Sequence, residues 1–353
     1  MSSACSWFES KPASEIDRRR LNLEMRSSVE RAGGTEIWIK SGPRESSEEE
    51  PGSSAELLAT PASYDRVLSA FKAEASRQSL EIQIRPAANE RRGRTVEIRL
   101  ARGKQLVSRW HLREVPALHR AAIIIDDLGQ DLEAARALLG LSYPLTFSIL
   151  PNLEHSERVA QEAHQKGREV MLHLPMEPQP GAAAPPGPGE IRLGMTSEEV
   201  GRIVEADLDS VPYVRGVNNH MGSRATADPA LMAAVMRVLV KRRLYFVDSR
   251  TTANSAALGE ARRMGVPAFF RSVFLDDTES VAYSLGQLRQ FRRAIDEKGA
   301  AIAIGHPHPT TLEALATFLP QLERDDIQLV SASELVHLPE VARLSPSVSQ
   351  SVP

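Results

Sequence analysis

Cysteine is nearly missing from this chain: Cys5 stands alone among 353 residues. An internal disulfide framework is therefore excluded, although the compartment is not, since an exported protein need not carry disulfides. No run of about 20 apolar residues occurs, so no stretch reads as a bilayer-spanning helix. Neither sign of charge is in excess: 43 Lys and Arg against 46 Asp and Glu leave a net charge of −3, which argues against a basic nucleic-acid binder. Arg18, Arg19 and Arg20 are not followed by an apolar run, so the N-terminal stretch is not expected to act as a secretory signal. What is present is 42% hydrophobic residues, enough for a real core, over a length that suits one large domain plus a smaller one.

Residues 1–34 are polar and mixed in charge and are expected to form a flexible tail or an exposed helix. Glu36 to Lys40 alternate as a strand does, and Ser41 to Ser54, rich in Ser, Glu, Gly and Pro, reads as a flexible loop. Tyr64, Val67, Leu68, Phe71 and Ala75 have helical spacing. Leu80, Ile82 and Ile84 alternate, then Val96, Ile98 and Leu100, then Leu106 and Trp110, with Arg91-Arg92-Gly93 as the first turn. Residues 35–117 are thus expected to form a small α+β domain without a catalytic constellation. From 118 to 338 strand and helix patterns alternate strictly, with strands starting near Ala121, Leu145, Glu169, Tyr213, Leu244, Ala268, Ala301 and Ile327. Thr196 with Glu199 makes a capping box, and Asp228-Pro229 opens a helix. Gly140, Gly167, Gly265 and Gly299 stand where helices end in a left-handed residue. About eight such units favour a distorted (β/α) barrel. Residues 339–353 are expected to be a disordered tail. Pro178 to Gly189 follows a strand end, where it either overhangs the site or is a linker.

The barrel is organised around Ala121-Ala122-Ile123-Ile124-Ile125-Asp126-Asp127-Leu128-Gly129. A short β-branched run reads as a strand buried on both faces. Two adjacent carboxylates at its end repel each other, so a bound cation or a proton should settle them. The plainer reading, a cap for the helix near Asp131, suits Asp127 or Asp131 but leaves Asp126 idle. At later strand ends stand Asn152, His173 with Glu177, Asn218, Asn219 and His220, Asp248, Asp276 and Asp277, then His306 and His308. This set supplies the mixed nitrogen and oxygen ligands that Zn²⁺ or another divalent ion takes.

These residues resemble a known family. Ile124-Ile125-Asp126-Asp127-Leu128-Gly129 is similar to the Asp-Asp-Gly motif of NodB-type polysaccharide deacetylases. More closely, the stretch 118–338 resembles the divergent polysaccharide deacetylase family, the YibQ-like bacterial proteins. Phe147 to Asn152, His173-Leu174-Pro175-Met176-Glu177 and Asn218-Asn219-His220-Met221-Gly222-Ser223 continue the match. So do Phe246 to Thr251, Phe274-Leu275-Asp276-Asp277 and Ile304-Gly305-His306-Pro307. The resemblance implies metal-dependent deacetylation of an N-acetylated glycan, with Asp126 as general base, Asp127 as a ligand, His306 as general acid and Asp248 as the residue that holds that acid.

The NodB motif His-x-x-x-His falls on His173 and Glu177, which is a departure. Either Glu177 or His220 supplies the third ligand, and the tight Met-Gly-Ser after it favours His220. The NodB arginine is replaced by Asn218 and Asn219, so the base must be oriented differently. Asp276 is a further candidate, and His308 is set aside as a neighbour of His306. The resemblance points to the cell envelope, whereas the N-terminal stretch does not. Two other readings compete: a degenerate glycan-binding protein, and a PHP-type phosphoesterase suggested by His306-Pro307-His308.

Overall fold

The computed structural model describes residues 15–40, 53–87, 93–182 and 184–338. The chain divides into two compact units, Met1–Leu118 and His119–Pro353.

In the first unit, helix α1 (Glu15–Gly33) is followed by β1 (Ile37–Ile39), β2 (Ser53–Ala59), α2 (Pro61–Arg77), β3 (Glu81–Pro86), β4 (Thr95–Arg102) and β5 (Gln105–Glu114). The strands form one sheet in the order β1-β2-β5-β4-β3. Within the stretch expected as a flexible tail or an exposed helix, residues 15–33 form a helix that is not wholly exposed: Leu21, Met25 and Val29, four residues apart, line one face and are buried in this unit's core. Strand β2 was hidden by its neighbours: it follows directly on the Ser- and Glu-rich segment, and only Leu57, Leu58 and Ala59 are buried. Most of the expected loop (41–52), Arg91 and Arg92 of the expected turn, and the tail 339–353 lie outside the described residues.

The second unit alternates strands and helices. It begins with β6 (His119–Leu128), α3 (Leu132–Leu139), β7 (Thr146–Ile149), α4 (Ser156–Gln165), β8 (Glu169–Met176), α5 (Ser197–Ser210) and β9 (Val214–Met221). It continues with α6 (Pro229–Arg242), β10 (Tyr245–Asp248), α7 (Ala257–Arg263), β11 (Ala268–Phe270) and β12 (Val273–Phe274). The last elements are α8 (Val281–Lys298), β13 (Ala300–Gly305), α9 (Pro309–Arg324), β14 (Ile327–Leu329) and α10 (Ala332–Val336). The strands run parallel in the order β11-β10-β9-β8-β7-β6-β13-β12, with β14 also on β6. This curled sheet is the distorted (β/α) barrel, and β11 and β12 are its unjoined edges. Strand β6 runs through the middle, with Ile123, Ile124 and Ile125 fully buried. Each such side chain contributes about 1.5–3 kcal/mol by leaving water.

The end signals act as their chemistry dictates. Thr196 and Glu199 form the reciprocal capping box of α5, and Asp228 accepts from Leu231 N–H at the start of α6. Asp131 caps α3 by accepting from Ala134 N–H, which frees both carboxylates at the end of β6 from that duty. Gly299 closes α8 at φ +77°, as a left-handed terminus requires. Gly140 does not: it stays right-handed at φ −71° after the short helix α3.

Candidate metal centre

A regular strand sends neighbouring side chains to opposite faces. Asp126 and Asp127 escape this rule because the β6–β7 register shifts between Ile125 and Leu128, and Asp127 adopts φ +56°. A bulge of this kind re-aims side chains. As a result both carboxylates approach one nitrogen: His173 Nε2 lies 3.5 Å from Asp126 Oδ2 and 3.1 Å from Asp127 Oδ1.

His220, at the end of β9, completes a triangle. Its Nδ1 is 3.0 Å from Asp127 Oδ1 and 3.2 Å from His173 Nε2. Asp127 Oδ1 is buried and accepts no well-directed hydrogen bond, although two ring nitrogens face it. Ligands placed tetrahedrally at zinc distances stand about 3.3–3.5 Å from one another. The three atoms are within a few tenths of an ångström of that spacing, so one carboxylate and two imidazoles fit a divalent ion. The charges agree. Burial opposes ionisation of Asp127, yet the imidazoles of His173 and His220 outweigh it and hold the carboxyl far below its usual range. Burial likewise opposes a charged His173, but Asp126 and Asp127 overcome it and raise its pKa. A positive charge belongs in this triangle, whether proton or metal cation.

Asn218 ties the triangle to the neighbouring carboxylate. Its Nδ2 donates to Asp126 Oδ1 at 2.8 Å. Its Oδ1 accepts from Ser148 Oγ at 2.7 Å and from His173 Nδ1 at 2.8 Å. That last bond leaves His173 Nε2 as the nitrogen free to ligate. Asp126, 2% exposed, has its pKa raised by burial against the opposing effects of His173, His306 and Asn218. The two adjacent carboxylates are thus driven apart: one is held ionised, the other is made more basic.

His306 follows β13, whose register sets Gly305 against Ile125 and so brings His306 beside the end of β6. Its Nε2 is 3.8 Å from Asp127 Oδ2. Its Nδ1 lies 2.8 Å from Asp276 Oδ1, and Asp276 Oδ2 accepts from His306 N–H and Thr311 Oγ, each at 2.6 Å. Burial disfavours the imidazolium, but Asp276, helped by Asp127 and Asp126, pushes its pKa up to about 9.

Asp248 does not hold His306. Its oxygens accept from Arg250 N–H and Ser255 Oγ, each at 2.8 Å. The strand pairing explains who takes this place: Asp276 follows β12, which pairs directly with β13, whereas Asp248 is engaged by its own turn. Glu177 also stands apart from the triangle. Its Oε1 pairs with Arg224 at 2.5 Å and its Oε2 accepts from Leu193 N–H at 2.7 Å. It therefore ties the segment that follows the Pro178 to Gly189 loop back to the end of β8. Asp276, His306 and His308 make a second group of nearby ligand-type atoms, but His306 Nδ1 is already bonded to Asp276. Ser148 lies in the Phe147 to Asn152 match, but its bond to Asn218 has no sequence signal, since a serine inside a buried strand carries none of its own.

The second unit is similar to known proteins. Residues 123–336 match the family described as divergent polysaccharide deacetylase. The chain is 39% identical over 231 residues to the uncharacterized protein YibQ of Escherichia coli, covering 64% of this chain and 70% of that protein. It is also 39% identical over 222 residues to an uncharacterized protein of Haemophilus influenzae, covering 62% and 77% respectively. A solved structure of an uncharacterized protein from Agrobacterium tumefaciens C58 superposes with a TM-score of 0.59 at 25% identity, covering 62% of this chain and 89% of that one.

Proposed function

The chain belongs to the divergent polysaccharide deacetylase family, and from that premise we propose that it hydrolyses the acetamide of N-acetylated sugars with one divalent ion, zinc by preference. The observation that carries this reading is the triangle of Asp127 Oδ1, His173 Nε2 and His220 Nδ1, with sides of 3.0–3.2 Å, beside the carboxylate of Asp126 and a third imidazole, that of His306. Those three residues would hold the ion. When bound, it lowers the pKa of water toward about 7 and polarises the amide carbonyl.

The remaining steps belong to the chain. Asp126 takes the proton of the attacking water. Its burial raises its basicity, and Asn218 Nδ2 fixes which oxygen is left to act. His306 is protonated at neutral pH because Asp276 stabilises its charge, and it delivers a proton from Nε2 to the departing amine. Asp276 keeps the ring oriented throughout by holding Nδ1, and Thr311 and the His306 backbone keep Asp276 in place. One base and one acid, set apart by their surroundings, are what amide hydrolysis at neutral pH requires.

The test is acetate release from chitooligosaccharides and peptidoglycan fragments by protein loaded with Zn²⁺, with chelated protein as control. Stoichiometric metal with metal-dependent acetate release supports the reading. Metal-free protein that binds glycan without releasing acetate would replace it with a binding role. Phosphate release from phosphoesters in place of acetate would favour a phosphoesterase.

A further inference from the structure

The barrel does not close between β11 and β12, and Arg271 and Ser272 are the two residues that join these edges. Arg271 N–H donates to Asp248 O at 2.9 Å and Ser272 N–H to Ile302 O at 2.7 Å, so the link is stretched from β10 to β13 across the seam. The Arg271 side chain turns back along the rim. Its Nε donates to Ser249 O at 2.6 Å and its Nη2 to Arg250 O at 3.0 Å. Its guanidinium lies 3.6 Å from the centre of the Phe274 ring, and that ring stacks on His306 with centroids 6.2 Å apart. Arg271 is thus one aromatic ring away from the proposed proton donor.

Arg250 stands on the backbone that Arg271 grips. It adopts φ +49°, a conformation that costs a non-glycine residue about 1 kcal/mol or more. Its N–H is held by Asp248 Oδ1 and its carbonyl by Arg271. Two buried or half-buried charged residues thus serve to present one side chain. The Arg250 guanidinium lies 5.8 Å from the centre of the Phe270 ring. Among the described residues, neither Arg250 nor Arg271 has a carboxylate within ion-pair distance, whereas Arg224, Arg136 and Arg242 at other places each hold at least one. Burial, together with the nearby Arg250 charge, lowers the pKa of Arg271 to about 10, although Asp277, Asp248 and Asp126 favour its charged form from a distance. Two cations thus stand close together beyond the end of β10, without an ion-pair partner among the described residues.

The loop that bears Arg250 lies beside the strand end that bears His220. β10 is the immediate neighbour of β9, which carries His220, and adjacent strands are about 5 Å apart. Asn219 Oδ1 accepts from Ser249 N–H and Thr251 Oγ1 donates to Met221 O, so the loop bearing Arg250 is fastened to the strand end that bears His220. For Arg250 to contact substrate, a sugar whose acetamide lies at the triangle must extend a substituent toward the end of β10.

Resting on the deacetylase reading, we propose that the substrate is an anionic N-acetyl sugar, that Arg250 binds its carboxylate or phosphate oxygens, and that Arg271 is the positioning residue for Arg250. A guanidinium fork matches both oxyanions in two-point geometry, which an amide in its place cannot reproduce.

The experiment compares the full chain with Arg250→Gln, Arg250→Lys and Arg271→Gln on three probes: a neutral chitooligosaccharide, a muramic-acid-containing disaccharide (carboxylate) and a phosphorylated N-acetylglucosamine. Binding is followed by calorimetry and acetate release by kinetics. The wild type should favour at least one anionic probe by about tenfold or more. Arg250→Gln should erase that preference by raising KM rather than lowering kcat, Arg250→Lys should restore part of it, and Arg271→Gln should reduce it. Which anionic probe responds tells carboxylate from phosphate. Equal affinity for neutral and anionic probes, unchanged in Arg250→Gln, overturns the proposal even if acetate is released from the neutral sugar. Arg250-dependent anion binding without acetate release from any probe supports the binding role of Arg250 and overturns the hydrolytic reading instead. No binding of any probe overturns both.

Discussion

Replacing Asn218 with Ala separates an organising residue from a merely packed one. Asn218 is fully buried and serves three partners: it donates to Asp126 and accepts from His173 and Ser148. The truncation leaves the His173 N–H and the Ser148 hydroxyl without their acceptor and removes a charge-assisted bond from Asp126. Each buried group left unpaired costs about 1–3 kcal/mol. The partners are coupled through one amide, so the losses will not simply add; the expected destabilisation is about 3–6 kcal/mol, read from urea unfolding of metal-free protein. The sharper readout is metal affinity. Removing a partner that orients a ligating imidazole costs about 10–100-fold, measured by competition with a chromophoric chelator. Should Asn218→Ala be too unstable, Ser148→Ala removes only the donor to Asn218 Oδ1, at about 1 kcal/mol, and should lower metal affinity in the same direction by a smaller factor. Folded Asn218→Ala protein that binds Zn²⁺ within twofold of the wild type would refute the claim that this amide sets the His173 ring for ligation.

Other expectations follow from the same geometry. Asp127→Ala should lose stoichiometric metal and activity together, whereas Asp126→Asn should keep the metal by elemental analysis and lose about 10²–10⁴ in kcat; full activity in both would end the division of roles. His306→Ala should slow acetamides much more than activated acetate esters, whose leaving groups need no proton, and equal losses on both would count against the acid role. Asp207, on α5, accepts from Asn152 Nδ2 at 2.9 Å, has its other oxygen unpaired, and is pushed by burial up to about 7. Its carboxyl is protonated in the folded chain and ionised in the unfolded chain between the two pKa values, so the stability it lends is full below about pH 4 and is lost as pH rises through 7. Asp207→Asn should therefore gain about 4 kcal/mol on the wild type between pH 4 and pH 8, and unfolding midpoints with the same pH slope in both proteins would show that Asp207 does not titrate this way.

Much of the barrel was legible because its signals are local. The apolar run of β6, the capping box at Thr196 and the cap at Asp228 each act over a few residues. Strand ends in a parallel sheet share one face, so Asp127, His173, His220 and His306 could be named as neighbours without knowing a single distance. The helix α1 and strand β2 were harder, since their few buried residues lie inside polar stretches and only the core of the first unit gives them a reason to order.

By itself the sequence determined the kind of groups at the rim and the strands that carry them, because residue type and chain period need no partner to be read. Tertiary structure decided who faces whom. The order of strands around the barrel, a property of no single segment, gave His306 to Asp276, while Asp248 is spent on its own turn at Arg250 and Ser255. A one-residue register shift, invisible in the run of letters, turned both Asp126 and Asp127 to the same side. The contacts of Asp127 with His173, His220 and His306 join residues tens to more than a hundred positions apart, and only the curled packing of the whole sheet brings them within reach.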